Sequence, residues 1–501
     1  MAGAYEALRE RLRTISNIGK AGAVLGWDQN TYMPPEGVHA RGEQMATLAR
    51  LGHEMFTAAE TGELLNAAAE ELSDLPYDSD DASIIRITRR DYERQQRVPA
   101  PFVAEMRRHG SESRQVWVEA RRTDDFPSFK PFLQNTVRLS RELAGYYGYE
   151  ERPYDALINV AEPGLKTTDL ERIFGDLKRE QTPLIKEIAE REQVDDSVLH
   201  QPFDEAKQEA FGRMVVERYG YDFNRGRLDR TTHPFEIALA IDDVRLTTRY
   251  DPNFLSMSLF GTMHESGHGM YEQGVGRGLE GTPVARGASG GFHESQSRLW
   301  ENLVGRSRPF WEAFYPELQK TFPEQLGGAS LDTFYRAVNK VYPSLIRVEA
   351  DELTYNMHIM LRFELENELL EERLSVQDAP EAWRRKMDEY LGVTPPNDRL
   401  GILQDTHWAT GLGGFPNYAL GNVFGAQIWE KAVGDNPGIP DEIGQGQFET
   451  LLHWLQDNLY VHGRKFETKE LMERVTGKPI STEPYIRYLR GKFGEIYGRL
   501  S

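Results

Sequence analysis

The chain has no cysteine among its 501 residues. That absence excludes disulfides, thiolate metal ligands and thiol nucleophiles together, so any metal site must be built from His, Asp or Glu. Long apolar runs are missing too: no segment approaches the roughly 20 residues needed to span a bilayer as a helix. Basic residues fall short of acidic ones, 59 Lys and Arg against 79 Asp and Glu, a formal charge of −20. Phosphate binding depends on clustered cations in a favourable field, so this balance argues against a nucleic-acid partner. The first residues, MAGAYEALRERLRTISNIG, mix acids with bases where a secretory signal needs an unbroken apolar core. The expectation is a cytoplasmic protein with no membrane partner.

What is present is mainly helical patterning. From Tyr5, Leu8, Leu12 and Ile15 onward, apolar residues recur at three- and four-residue steps. Breakers such as MPPEG at 33–37 separate the helices, and Thr168 and Glu171 have the spacing of a capping box. Segment 85–123, dense in Arg and Glu, reads as a solvated helix face. At 228–250, β-branched residues predict one or two short strands. A glycine-rich stretch, RGLEGTPVARGASGG at 277–291, follows, and helices resume to the end. With no linker and no repeat, the expectation is one large helical domain over 1–501 with a small sheet, residues 226–501 carrying the chemistry.

The chemistry centres on GTMHESGHGMYEQ, 261–273. Positions i and i+4 of a helix share one face, so His264 and His268 can converge on one ion. Glu265, about 100° around the helix, stands where a general base for an activated water belongs. Gly261, Gly267 and Gly269 each weaken a helix interior by about 1 kcal/mol against Ala, which suggests close approach to the backbone. The metzincin continuation is ruled out, because Tyr271 and Gly274 occupy its Gly and His positions. A glutamate from a following helix is the other common third ligand, and GFHESQSRLWENL offers Glu294, with His293 and Glu301 as competitors.

Five ordered motifs resemble the thermostable metallocarboxypeptidases of bacteria and archaea, typified by the enzyme of Thermus aquaticus. DVRLT (243–247) resembles D-x-R-x-T, HESGH the metal-binding H-E-x-x-H, and HESQ (293–296) the third-ligand motif. IRVEAD (346–351) is similar to I-R-x-x-A-D, and GILQDTHW (401–408) to G-x-x-Q-D-x-H-W. LGWDQNTYMPPEG near the start and FPNYALGN at 415–422 extend the likeness, with Gly414 departing where an aromatic is expected.

The resemblance implies a mainly α gluzincin fold with a deep active-site cleft, related to neurolysin and angiotensin-converting enzyme, residues 1–225 forming much of one cleft wall. It implies one Zn2+, or Co2+, per chain on His264, His268 and Glu294, and a homodimer. It assigns Arg347 to the terminal carboxylate of a peptide, a group that an arginine fork meets bidentately. Arg245 becomes a brace or second substrate contact. His407 and Tyr418 become donors to the oxyanion, with Gln404 and Asp405 positioning them. His233, in an HPF segment, is given no role. The expected reaction is release of single C-terminal amino acids. A zinc oligopeptidase, needing no carboxylate clamp, and an inactive metal-binding scaffold are the alternatives.

Overall fold

The computed structural model describes residues 3–500. The chain is mainly helical, and among the described residues no helix is long and apolar enough to cross a membrane. It forms two compact units, each assembled from three separated segments. One contains Met1–Gln96, Asp196–Val338 and Ile428–Thr476; the other contains Arg97–Asp195, Asn339–Gln427 and Gly477–Ser501.

In the first unit, helix α1 (Ala4–Thr31) buries Tyr5, Leu8 and Leu12 on one stripe, as their spacing dictates. They share a core with Phe56, Leu65, Ile84, Ile87, Leu279 and Val284, so the opening helix packs on the segment that follows the histidine motif. Three strands form the sheet rather than one or two: β1 (Gly226–Arg230), β2 (Glu236–Ala240) and β3 (Asp243–Thr248), in the order β1-β3-β2. β3 pairs antiparallel with β2 and parallel with β1. Val244 and Leu246 are wholly buried while Asp243 and Arg245 alternate with them, the expected period of two. The sequence GRLDR of β1 lacks that apolar alternation, so the pattern over 228–250 predicts one or two strands where three form.

Helix α2 (Leu255–Gln273) carries the histidines and is buried over most of its length. Helix α3 (Gly290–Arg298) begins where Ser289 accepts a hydrogen bond from the Phe292 amide, and runs on as a π-helical turn over Leu299–Val304. Gly267 is where α2 and α3 meet: a Cβ there would lie 2.4 Å from the Gln296 carbonyl oxygen. At Gly269 an added Cβ would lie 2.7 Å from Leu246, whereas at Gly261 nothing is closer than 3.7 Å, so two of the three glycines answer to close approach.

The second unit is built around helix α4 (Tyr355–Leu370), with Met357, Ile359, Leu361 and Leu365 wholly buried. Phe363 takes edge-on contacts from Tyr154 and Phe174 at 5.3 and 5.1 Å. The helix Thr167–Ala189 is capped not by Thr168 and Glu171 but by Asp169, whose carboxylate accepts the Lys166 amide at 3.0 Å. The charged stretch 85–123 also departs from a uniformly solvated face. It breaks into helices Asp80–Gln96 and Ala100–Thr123, and Asp91 within it is 7% exposed.

Candidate metal centre

His264 and His268, one turn apart on α2, and Glu294 on α3 bring three ligand atoms within 4.8 Å of one another. The Glu294 Oε2 atom lies 3.8 Å from His264 Nε2 and 3.6 Å from His268 Nε2. Tetrahedral zinc with bonds near 2.05 Å sets its ligands about 3.3 Å apart, so a small contraction would close this set around a divalent ion. Two imidazoles and one carboxylate are also the donors such an ion accepts.

The two competitors of Glu294 occupy a different place. Glu301 Oε2 lies 2.9 Å from His264 Nδ1, and His293 Nδ1 lies 2.5 Å from His268 Nδ1, so each faces the nitrogen remote from Glu294. Arg298 binds both acids, at 2.8 Å to Glu294 and 3.2 Å to Glu301, and Arg306 reaches Glu301 at 3.3 Å. Behind His293, Glu272 accepts from His293 Nε2 at 2.9 Å and from the Gly287 amide at 2.7 Å. Arg298 and Glu272 went unnoticed in the sequence. Their spacing of four residues from Glu294 and from His268 was the available signal.

Burial pushes the Glu294 carboxyl up, but Arg298, His264 and the hydrogen bond with His268 outweigh it and hold it well below the carboxylate range. Glu301 is likewise held at about 2, burial being overcome by Arg298 and His264. His268 is driven down to about 3 by burial, which favours the neutral ring that can donate a lone pair. Glu265 goes the other way: burial, with the charges of Glu294 and Glu301, lifts it to about 7. Its carboxyl accepts no hydrogen bond from any described side chain, so unlike its neighbours it is not tied into the network. Glu236 on β2 is raised to about 8, chiefly by burial, and sits 4.0 Å from His293.

Arg245 lies on β3 in the same unit. It is paired with Asp243 through two 2.8 Å bonds, and its guanidinium stands 4.4 Å from the Trp27 ring centre. His233 is exposed.

The second unit gathers the other expected residues. Arg347, 7% exposed, donates to Asp405 from Nε at 2.6 Å and from Nη2 at 3.4 Å, and to the Tyr355 hydroxyl from Nη1 at 3.0 Å. That leaves one N–H on each terminal nitrogen. Gln404 accepts from the Arg347 amide at 3.0 Å and from Arg362 at 2.9 Å. Asp405 also holds His407 Nδ1, at 2.5 Å, and His407 Nε2 lies 3.4 Å from the Tyr418 hydroxyl. Gly414 is exposed with open space around it. Glu366, unremarked in the sequence, accepts from Tyr154, Trp408 and the Gly413 amide and so ties the loop ahead of Tyr418 to α4.

A family profile described as Carboxypeptidase Taq (M32) metallopeptidase matches residues 7–493. The chain belongs to the M32 metallocarboxypeptidase family. It is 42% identical to thermostable carboxypeptidase 1 of Thermus thermophilus, over 99% of each chain. Carboxypeptidase 1 of Bacillus subtilis is 37% identical over 97% of each. The crystal structure of the M32 carboxypeptidase from Deinococcus radiodurans superposes with a TM-score of 0.97 at 42% identity, covering 99% of both chains. The protein is thus a metallocarboxypeptidase acting on peptides, and family membership brings dependence on a divalent metal.

Proposed function

We propose that His264, His268 and Glu294 hold one Zn2+, with Co2+ an alternative, and that Glu265 is the general base for release of single C-terminal residues. The observation that carries this reading is the division of acids in one buried cluster. Glu294 and Glu301 are fully committed to cations, whereas Glu265 is unbonded with its proton affinity lifted to about 7. A bound divalent ion supplies Lewis acidity, polarising the scissile carbonyl and acidifying a water. Glu265 takes the proton of the attacking water and delivers it to the departing amine nitrogen; a group that titrates near neutrality does both well.

The surrounding side chains set the imidazole tautomers. Glu301 is ionised by Arg298 and Arg306, so His264 donates from Nδ1 and keeps the Nε2 lone pair for the ion. For His268 to offer Nε2, its Nδ1 must donate to His293, which then carries its own proton on Nε2, the atom facing Glu272.

Arg347 takes the substrate's terminal carboxylate. Its two remaining terminal N–H groups suit end-on recognition, and Asp405 and Tyr355 fix the plane of the fork. Gln404 holds the backbone of Arg347, while His407 and Tyr418 supply donors for the oxyanion. Arg245, committed to Asp243 and Trp27, serves as a brace for the strand. The whole chain serves as one catalytic domain in this reading, in keeping with relatives matched over nearly their full length. A cytoplasmic homodimer is the setting that the cysteine-free composition and the family likeness favour.

An N-blocked peptide offered to metal-loaded protein with its C-terminus free, and again amidated, tests the assignment of Arg347. Loss of one residue from the free acid alone is expected in mass spectra. Equal turnover of the amide would sink the clamp, as would an Arg347→Lys variant that keeps the parental KM.

A further inference from the structure

Glu366, on α4, is wholly buried, and the groups that bond it are uncharged. Its Oε1 atom accepts the Trp408 indole N–H at 2.8 Å, while Oε2 accepts the Gly413 amide at 3.1 Å and the Tyr154 hydroxyl at 2.7 Å. Indole and amide nitrogens can only donate, and here each meets a different oxygen. A carboxylate satisfies both. A carboxamide offers one acceptor and one NH2, so it would leave Trp408 or Gly413 facing another donor. The site is shaped for a carboxylate, although burying that charge among uncharged partners is costly.

Two of these donors lie on the segment 405–418, which also carries the groups gathered at Arg347. Trp408 directly follows His407, and Gly413 comes just ahead of Phe415. Gly413 has a φ of 98°, and a Cβ there would lie 2.9 Å from Leu157 Cβ, so the backbone is also packed against the helix Pro153–Ala161 that carries Tyr154. The Phe415 ring centre stands 4.4 Å from that of His407, and the Phe415 and Tyr418 rings stand 5.6 and 5.2 Å from the Arg347 guanidinium. Asp405 holds His407 through Nδ1, but the contact of His407 Nε2 with the Tyr418 hydroxyl is long, at 3.4 Å. The spacing of those two side chains therefore depends on the course of the backbone between them, and Glu366 grips that backbone and its Trp408 side chain.

We infer that Glu366 is a positioning residue for the reaction: by holding Trp408 and Gly413 it sets the spacing of His407 and Tyr418, the side chains assigned above to the oxyanion, on which assignment its role rests. Glu366 itself, wholly buried, touches no substrate.

Steady-state kinetics of the metal-loaded full chain on an N-blocked peptide with a free C-terminus test this role. Glu366→Gln and Trp408→Phe each release one grip on the segment and should lower kcat by about 10–100-fold. KM should stay within about two-fold, because the Arg347 fork is untouched, and metal content should stay parental. Tyr154→Phe removes the bond to Glu366 that lies outside the segment, so it should lower Tm as the others do yet leave kcat within about two-fold. On a Tyr418→Phe background, where one donor is already gone, the further loss from Glu366→Gln should shrink to about two- to three-fold. Should Glu366→Gln fail to fold, Trp408→Phe, which keeps an aromatic ring and loses the N–H, takes its place in each comparison. His407→Gln and Tyr418→Phe, measured alone, keep two failures apart. Parental kcat in both would remove the oxyanion assignment and the role of Glu366 with it. A loss in either, beside parental kcat in a folded Glu366→Gln or Trp408→Phe protein, would overturn the positioning role alone, as would an equal loss in Tyr154→Phe or a fully additive one on the Tyr418→Phe background.

Discussion

Glu265 and Glu301 are both buried carboxyl groups beside His264, yet they should fail differently when neutralised. Glu265→Gln leaves every candidate ligand intact, so metal content should be unchanged while kcat falls by about 10²–10⁴. Glu301→Gln removes the acceptor that orients His264, and should weaken metal affinity by about 10–100-fold while leaving a substantial rate at saturating metal. Chelator competition followed by steady-state kinetics on each variant separates the two. A Glu265→Gln protein with parental kcat, or a Glu301→Gln protein with parental affinity, removes the corresponding role. Sequence spacing is enough to pair His264 with His268, because helix geometry alone puts them on one face. It cannot rank Glu294 against His293 and Glu301, since all three lie within one helical stretch and their order of approach depends on where that stretch docks.

Docking is decided at the scale of elements, and Gly267 shows how. Its missing side chain lets α2 touch the backbone of α3 at Gln296, so Gly267→Ala forces the two helices apart and should destabilise the protein by about 1–3 kcal/mol. At Gly261 on the same helix the nearest atom to an added Cβ would be Thr248 Oγ1 at 3.7 Å, an ordinary contact, and Gly261→Ala should be neutral or stabilising by up to about 1 kcal/mol. Thermal melts of the two variants should move in opposite directions or at least differ clearly; equal shifts would show that the contact is slack. The glycines were visible as anomalies in a helical pattern, but not which of them faced a neighbour. Glu301 competes with Glu294 in the sequence for a related reason. Seven residues beyond Glu294 on a regular helix it should share that face, but the π-helical turn over Leu299–Val304 shifts the register and sets it behind His264. β1 was illegible because its pairing with β3, not its own composition, makes it a strand.

For the whole molecule, each of the two units contains a buried ion-pair cluster, and these clusters shape its response to acid. In one unit Arg464 clasps Asp91 across 373 residues of sequence; in the other Asp405 joins Arg347, Arg362 and His407. Burial pushes both carboxyls up, but the hydrogen bonds and charges of these partners prevail and hold both below the ordinary range, Asp405 far below. A carboxyl with a depressed folded pKa contributes stability that is complete above its unfolded value, near 4. That contribution is lost progressively as pH falls towards the folded value. Asp405→Asn discards it at every pH and leaves Arg347 and Arg362 facing an amide. The variant should be less stable than the parent by about 3–5 kcal/mol at pH 7. As pH drops from about 4 towards 2 the parent loses what the variant never had, so the gap between them should narrow. Denaturant titrations of both proteins across that range would show it, and a gap that stays constant or widens in acid would mean that Asp405 is not the charged anchor of this cluster.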